Sequence, residues 1–320
     1  MDAVLSIVDL TVAFPTAAGP AKAADGLSFD LRPGCTTALV GESGCGKSVT
    51  ALALMGLVPP PGRLTGGSIR FAGRDLTNLT EREWRKLRGA GLAMVFQEPL
   101  SALNPVMTIG DQVAEAFRLH ARSGGHTAWA ETVAMLGRVG IPDPAARAKA
   151  YPHQLSGGMR QRAMLAMALV CRPAVLLADE PTTALDVTVQ AQIIALMQDM
   201  QQELGTAILF ISHDLGAVSA IADDVLVMYA GRIVERAPAG RLFAHPLHPY
   251  TRGLLDTLPG QAPRHGRLPS LDGAVPDLAR LPEGCRFSDR CPLADAVCRD
   301  DEPPLADHAG CRVACWKARP

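Results

Sequence analysis

The sequence predicts an α/β fold, a parallel sheet with helices on both faces, on three observations. Short apolar runs of buried-strand length occur as TTALV (residues 36–40), AVLLAD (174–179) and AILFIS (207–212). The last two are separated by VTVQAQIIALMQDMQQEL, whose apolar positions recur at helical spacing. The first is followed by a glycine-rich turn and then by SVTALALMGLV, of helical composition. Strands alternating with helices need crossover connections, and these produce a doubly covered parallel sheet. Residues 110–150 read as mostly helical and Ala-rich, an insertion on the sheet domain. DDVLVMYAGRIVERA (223–237) reads as two strands joined at Ala230-Gly231. Residues 258–282 carry Pro259, Pro263, Pro269, Pro276 and Pro282, a composition that resists regular structure and marks a linker. A cysteine-bearing segment follows, and no internal repeat or low-complexity tract is present.

Composition narrows the function. A chain of 320 residues, 48% hydrophobic, supports one large core plus an appendage. With 31 basic and 32 acidic side chains the net charge is −1, so no overall basic field points to nucleic acid. The local basic stretch REWRKLR (82–88) reads as a solvated helix face. The start, MDAVLSIVDL, lacks the pattern of a secretory signal, so the chain is expected to stay inside the cell. The apolar run AMLAMALVCRPAVLLA is broken by Arg172 and Pro173 and is too short on either side to span a bilayer, so any membrane role is peripheral. In a reducing compartment the eight cysteines read as buried thiols or metal ligands before bridges.

GESGCGKS (41–48) fits G-x-x-x-x-G-K-[ST] and lies between an expected strand and an expected helix. Its glycines let successive N–H groups point inward at phosphate oxygens, and the helix N-terminus adds its positive dipole end. Gly41, Ser43, Gly44, Cys45, Gly46, Lys47, Ser48 and Val49 therefore form a candidate nucleotide cradle. Lys47 would reach the β- and γ-phosphates and Ser48 would offer its hydroxyl to Mg²⁺. AVLLADEP ends a strand in Asp179, a carboxylate for the metal, followed by Glu180, which could polarise an attacking water. LSGG (155–158) places Ser156, Gly157 and Gly158 at another helix N-terminus suited to an anion. One fold has little use for two such termini on one nucleotide, so the second must serve a different phosphate.

This set, LSGGMRQRAMLAMALVCRPAVLLADEPTTALD above all, resembles the nucleotide-binding subunits of ABC transporters. The resemblance implies ATP and Mg²⁺ as ligands and a P-loop NTPase fold: a RecA-like core, an antiparallel β subdomain and a helical subdomain over about residues 98–172. LSGG then resembles the signature loop that closes on the γ-phosphate of a second subunit, and ALD (184–186) the D-loop. VFQEP supplies Gln97 for the metal and for signalling to the helical subdomain, ISHDL supplies His213 for the γ-phosphate or water, and Phe14 would stack on adenine. Cys45 stands where serine or glycine is more usual and reads as a tolerated small residue.

VFQEPLSALNPVMTIGDQ, YPHQLSGGMRQR and PLHPYTRGLL look like the dipeptide/oligopeptide/nickel importer branch, and that branch also carries Met159 after the signature. The branch implies peptide import, with nickel or a metal chelate as the alternative cargo. It also implies a second homologous ATPase subunit in a heterodimer, two permeases, an extracytoplasmic solute-binding protein and a peripheral site on the cytoplasmic face of the inner membrane. GCRFSDRCPLADAVCRDDEPPL resembles the branch's C-terminal extension, so the expected organisation is an ATPase domain over 1–257 and an extension over 258–320. Cys285, Cys291, Cys298 and Cys315 match its four-cysteine pattern, with Cys311 as an extra. Four thiolates on a short Pro-rich segment suit a [4Fe–4S] cluster, because ligation supplies ordering that so small a core cannot. Zinc is the rival, although only Cys311-x3-Cys315 has the usual zinc spacing, and unligated packing thiols are a third reading. A soluble ABC-type ATPase acting on nucleic acid or ribosomes is the alternative of another class. The single cassette, near-neutral charge and lack of sustained heptads weigh against it.

Overall fold

The computed structural model describes residues 2–98, 102–120, 125–183, 185–257, 273–308 and 310–318. In chain order the elements begin with β1 (Leu5–Thr16), β2 (Gly19–Leu31), β3 (Thr36–Val40), α1 (Lys47–Leu54), β4 (Arg63–Phe71), β5 (Arg74–Asp75), α2 (Glu81–Leu87) and β6 (Leu92–Val95). There follow α3 (Ile109–His120), α4 (Gly125–Arg138), α5 (Pro144–Arg147), α6 (Gly157–Leu169), β7 (Val175–Asp179), α7 (Val187–Leu204), β8 (Ala207–Ser212) and α8 (Leu215–Ile221). The chain closes with β9 (Asp224–Tyr229), β10 (Arg232–Pro238), α9 (Ala239–Ala244), α10 (Pro249–Asp256), α11 (Ala296–Asp300), β11 (Ala306–His308) and β12 (Cys311–Val313). They fall into two compact units, divided within β8 between Leu209 and Phe210.

The first unit holds residues 1–4, 31–35 and 78–209. Strand β7 is buried at every position, as its unbroken apolar run requires of a strand covered on both faces. It pairs in parallel with β6, Leu92 opposite Val175 and Val95 opposite Ala178. Helices α3, α4 and α6 pack on one another through residues such as Val113, Leu136 and Leu165, each at most 1% exposed, and so realise the expected helical insertion. The basic stretch lies on α2, where Arg82, Arg85 and Lys86 are exposed and Trp84 is buried.

The second unit holds residues 5–30, 36–77 and 210–320. One sheet has the order β2-β1-β4-β5, with β1 and β4 antiparallel. A second set runs β11-β12-β10-β9-β3, with β3 parallel to β9 and the β9–β10 hairpin turning at Ala230-Gly231 as expected. The cysteine extension is not a separate appendage. Its strand β12 pairs with β10, Glu235 opposite Val313, because β10 would otherwise present unpaired N–H and C=O groups along an edge. The Pro-rich linker is described only from residue 273, and there it holds no helix or strand up to residue 282. Residues 258–272 lie outside the described residues.

Side chains tie the extension down further. The Arg286 guanidinium, about 8% exposed, pairs with Asp25 of β2, donates to the Ala230 carbonyl at 2.6 Å and to Glu302 at 2.9 Å. Phe287 is buried against Tyr229, Tyr250 and His248. Burial lowers the His248 pKa to about 3, so its ring is neutral and Nδ1 accepts from the Tyr250 N–H at 3.0 Å. Burial alone would raise the Asp25 pKa. Hydrogen bonds from Lys22 and Arg286 and the charges of Arg286 and Arg232 outweigh it and hold the group at about 2, below its ordinary 3.8. The resulting stability is complete above the ordinary value and is lost as pH falls from 3.8 towards 2. We expect the melting temperature to drop through that window, and to drop less in Asp25→Asn. At neutral pH the same substitution should cost about 3 kcal/mol in urea unfolding, because it leaves Arg286 short of its buried partner.

Candidate functional site

Candidate nucleotide residues lie in both units. In the second unit the buried strand β3 ends at Val40 and the chain turns sharply through Gly41, whose φ is +153°. A Cβ on Gly41 would stand 2.2 Å from the Met228 carbonyl oxygen of β9, and one on Gly46 would stand 1.9 Å from the Ala23 carbonyl oxygen of β2. Only glycine permits such approaches, so the two residues press the loop onto two strands. Gly46 is the N-cap of α1, with φ +109° and no side-chain cap, which leaves the first-turn N–H groups of the helix directed at the loop. Lys47 opens the helix. It is 6% exposed, and its Nζ donates to the Gly41 carbonyl at 2.7 Å and the Glu42 carbonyl at 3.0 Å. Ser43 and Gly44 at the loop tip are exposed, while Ser48 and Val49 are half-buried on the first helical turn.

Cys45 was expected to be a tolerated small residue within the cradle, and its thiol is fully buried beneath the loop. Burial raises its pKa, so the thiol remains protonated, and its backbone N–H is engaged with the Glu42 carbonyl at 3.3 Å. Glu42 is the loop residue that sequence reasoning passed over. Its N–H donates to the Tyr250 hydroxyl at 2.8 Å, and its carboxylate accepts two bonds from Arg290, at 2.7 and 3.0 Å. Nothing in the spacing of residues 42, 250 and 290 signals these contacts. Phe14, on β1, is half-buried and lies over Gly62, where a Cβ would come within 2.3 Å of the ring. His213 is exposed just beyond β8, at the start of a turn in which the Ser212 hydroxyl accepts from the Asp214 N–H.

In the first unit Asp179 ends β7 and is 5% exposed. Glu180 follows in a left-handed conformation, φ +47°, which a residue with a side chain adopts at a cost of about 1–3 kcal/mol. Its Oε2 accepts from Gln97 Nε2 and from Thr183 Oγ1, each at 2.9 Å. The parallel register of β6 and β7 puts Gln97 and Glu180 beyond neighbouring strand ends, although 83 residues separate them. The contact seen is therefore between Gln97 and the candidate base, where the sequence led us to expect a role for Gln97 at the metal. Ser156 caps α6, its Oγ accepting from the Met159 N–H, and Gly157 has open space where a side chain would be. Gly158 lies against Val189 of α7, leaving 2.9 Å for a Cβ. Asp186 caps α7 by accepting from the Val189 N–H at 2.9 Å, and Ala184 of the ALD stretch lies outside the described residues.

The four cysteines expected to hold a cluster all lie in the second unit. Cys285, Cys291 and Cys315 all have raised pKa values, from burial first and then from neighbouring thiols of the same four, and Cys285 is pushed up to about 11. The four are electrostatic neighbours. Among the described residues, however, no three His, Cys, Asp or Glu side chains are arranged to hold a metal ion directly. At Cys285, Cys291 and Cys315 burial and the neighbouring thiols favour the protonated form.

Residues 24–183 match the family described as ABC transporter, and residues 234–298 match the oligopeptide/dipeptide transporter C-terminal region. The dipeptide transport ATP-binding protein DppD of Bacillus subtilis (strain 168) is 50% identical over 318 residues, 99% of this chain and 95% of that protein. The oligopeptide transport ATP-binding protein OppD of Escherichia coli (strain K12) is 49% identical over 317 residues, 99% of this chain and 94% of that protein. Among solved structures, the dimeric MJ0796 bacterial ABC transporter cassette superposes with a TM-score of 0.67 at 23% identity, covering 73% of this chain and 98% of that one. CbiO1 of Clostridium perfringens, part of the ABC transporter complex cbiONQ, gives 0.66 at 27% identity over 77% of this chain and 92% of its own.

The loop geometry generates one direct prediction. Gly46→Ala should weaken binding of a fluorescent ATP analogue by at least about tenfold, because its methyl group must push the loop off the Ala23 carbonyl. Unchanged affinity would show that the close approach is not needed.

Proposed function

The chain belongs to the ABC transporter family, and from that premise we propose that it is the ATP-hydrolysing subunit powering import of dipeptides or oligopeptides. The observation that carries the reading is 50% identity along 99% of the chain with a dipeptide transport ATP-binding protein. The match of residues 234–298 to the C-terminal region of oligopeptide/dipeptide transporters supports it from an independent segment. Residues 1–257 act as the ATPase domain and residues 258–320 as its extension.

In this reading Gly41 to Val49 bind the phosphates through backbone N–H groups, with Lys47 on the β- and γ-phosphates and Phe14 on adenine. The buried Lys47 and the closely seated glycines support the assignment. Ser48, Asp179 and Gln97 would hold Mg²⁺, which supplies charge neutralisation at the phosphate oxygens. Glu180 takes the proton of a water that attacks the γ-phosphorus, His213 orients that water, and the bond to the β-phosphate oxygen breaks to give ADP and inorganic phosphate. The Gln97 and Thr183 bonds to Glu180 support its role, because they fix the direction of its carboxylate just beyond the strand end. Ser156, Gly157 and Gly158 close on the γ-phosphate bound by a second, homologous ATPase subunit, and the open space at Gly157 suits such an approach. The pair works beneath two permeases at the cytoplasmic face of the membrane, fed by an extracytoplasmic solute-binding protein. Among the described residues no helix is long and apolar enough to cross a membrane.

For the extension, Cys285, Cys291, Cys298 and Cys315 are the ligands of a [4Fe–4S] cluster, with zinc as the alternative. The chemistry of the donor set supports this: Cys285, Cys291, Cys298 and Cys315 are electrostatic neighbours, and a shared cation would stabilise their thiolates, which otherwise repel one another. Ligation would order the extension as a staple. Anaerobically purified full-length chain should be brown and contain about four iron and four sulfide per chain. Colourless protein with stoichiometric zinc would exclude the cluster, and protein free of both metals would exclude ligation.

Hydrolysis itself is tested at Glu180. In the assembled transporter, Glu180→Gln should retain ATP affinity and lower the steady-state turnover by about 10²-fold or more. Native turnover would remove Glu180 from the role.

A further inference from the structure

We infer that Arg290, in the cysteine segment, is a positioning residue for ATP that fixes the Gly41–Ser48 loop through Glu42. The inference rests on the reading of that loop as the ATP cradle. Arg290 is itself held rigidly. Its side chain is 6% exposed, its guanidinium lies 5.7 Å from the Tyr229 ring centroid and 5.8 Å from that of Phe287, and one N–H reaches the Tyr229 hydroxyl at 3.3 Å. Phe287 is 2% exposed and packs edge-on to Tyr229, so both rings are fixed in turn. The planar fork then meets the Glu42 carboxylate with two bonds of 2.7 and 3.0 Å, a geometry that sets direction as well as distance.

Glu42 passes that constraint to the loop. Its N–H is tied to Tyr250, and its carbonyl accepts from both Lys47 Nζ and the Cys45 N–H. Loss of the Arg290 fork would therefore remove one of the restraints on the residue whose carbonyl meets Lys47. A largely buried ion pair adds little net stability compared with apolar side chains of similar volume. What an apolar pair cannot do is hold Glu42 in one orientation. A loop already ordered loses less entropy when the phosphates arrive, so the pair should act on affinity more than on the chemical step.

The test uses the full assembled transporter with Arg290→Met, Arg290→Lys, Glu42→Gln and the double variant Glu42→Gln/Arg290→Met. We expect Arg290→Met to raise both KM and Kd for ATP by about tenfold with kcat changed less than about twofold. Arg290→Lys keeps the charge without the fork and should fall between it and the native protein. The double variant should be no weaker than the weaker single, because the two residues act as one unit. If Arg290→Met fails to assemble, a raised KM in both Arg290→Lys and Glu42→Gln supports the role and a native KM in either overturns it. Native KM and Kd in Arg290→Met, an effect confined to kcat, or additive losses in the double variant would each overturn it. Lys47→Ala separates the two readings. If it binds ATP normally, the cradle assignment falls. If it loses binding while Arg290→Met keeps native affinity, only the role of Arg290 falls.

Discussion

The second unit depends on a steric constraint, the absence of two Cβ atoms. Gly41 and Gly46 let the phosphate loop lie directly on the carbonyls of Met228 and Ala23, closer than any side chain allows. From that contact a chain of backbone bonds runs outward. The Cys45 carbonyl accepts from the Gly231 N–H, and the Gly231 carbonyl accepts from the Asp25 N–H. The Asp25 side chain meets Arg286, and Arg286 also holds the Ala230 carbonyl beside that turn. Loop, β2, the β9–β10 turn and the extension are thus fixed by one contiguous set of short contacts, and a shift in any of them is felt at Lys47.

In the first unit the tension sits in Glu180. Its left-handed backbone is unfavourable for a residue with a side chain, and the bonds from Gln97 and Thr183 hold its carboxylate in place. A strained residue persists only where its surroundings over-determine it, and here the surroundings are the two side chains that would have to move when the site changes state. Gln97 is exposed and stands two residues past β6, ahead of the helical insertion.

The local setting of most candidate site residues was legible in the sequence, because it depends on residue type at fixed local spacing. Lys47 and Ser48 follow a glycine turn, Asp179 and Glu180 end an apolar run, and Ser156 opens a helix. Each requires only a few neighbouring residues. The contacts that orient these groups depend on strand register and long-range packing, which local spacing does not encode. Gln97 and Glu180 meet across 83 residues, and Glu42 and Arg290 across 248. The strand that joins the extension to the sheet is only Cys311–Val313, too short for an alternating pattern to declare itself. Nor does glutamate favour a positive φ, so nothing local announces the bend at Glu180.

The pairing of β12 with β10 has a temporal consequence. Strands β1, β3 and the phosphate loop leave the ribosome before their supports in β9, β10, Arg290 and β12. A nascent chain therefore carries Glu42 untethered until Arg290 has been made, and the β10 edge stays open until β12 follows. Maturation of the nucleotide site runs from the carboxyl end backward, opposite to the direction of translation.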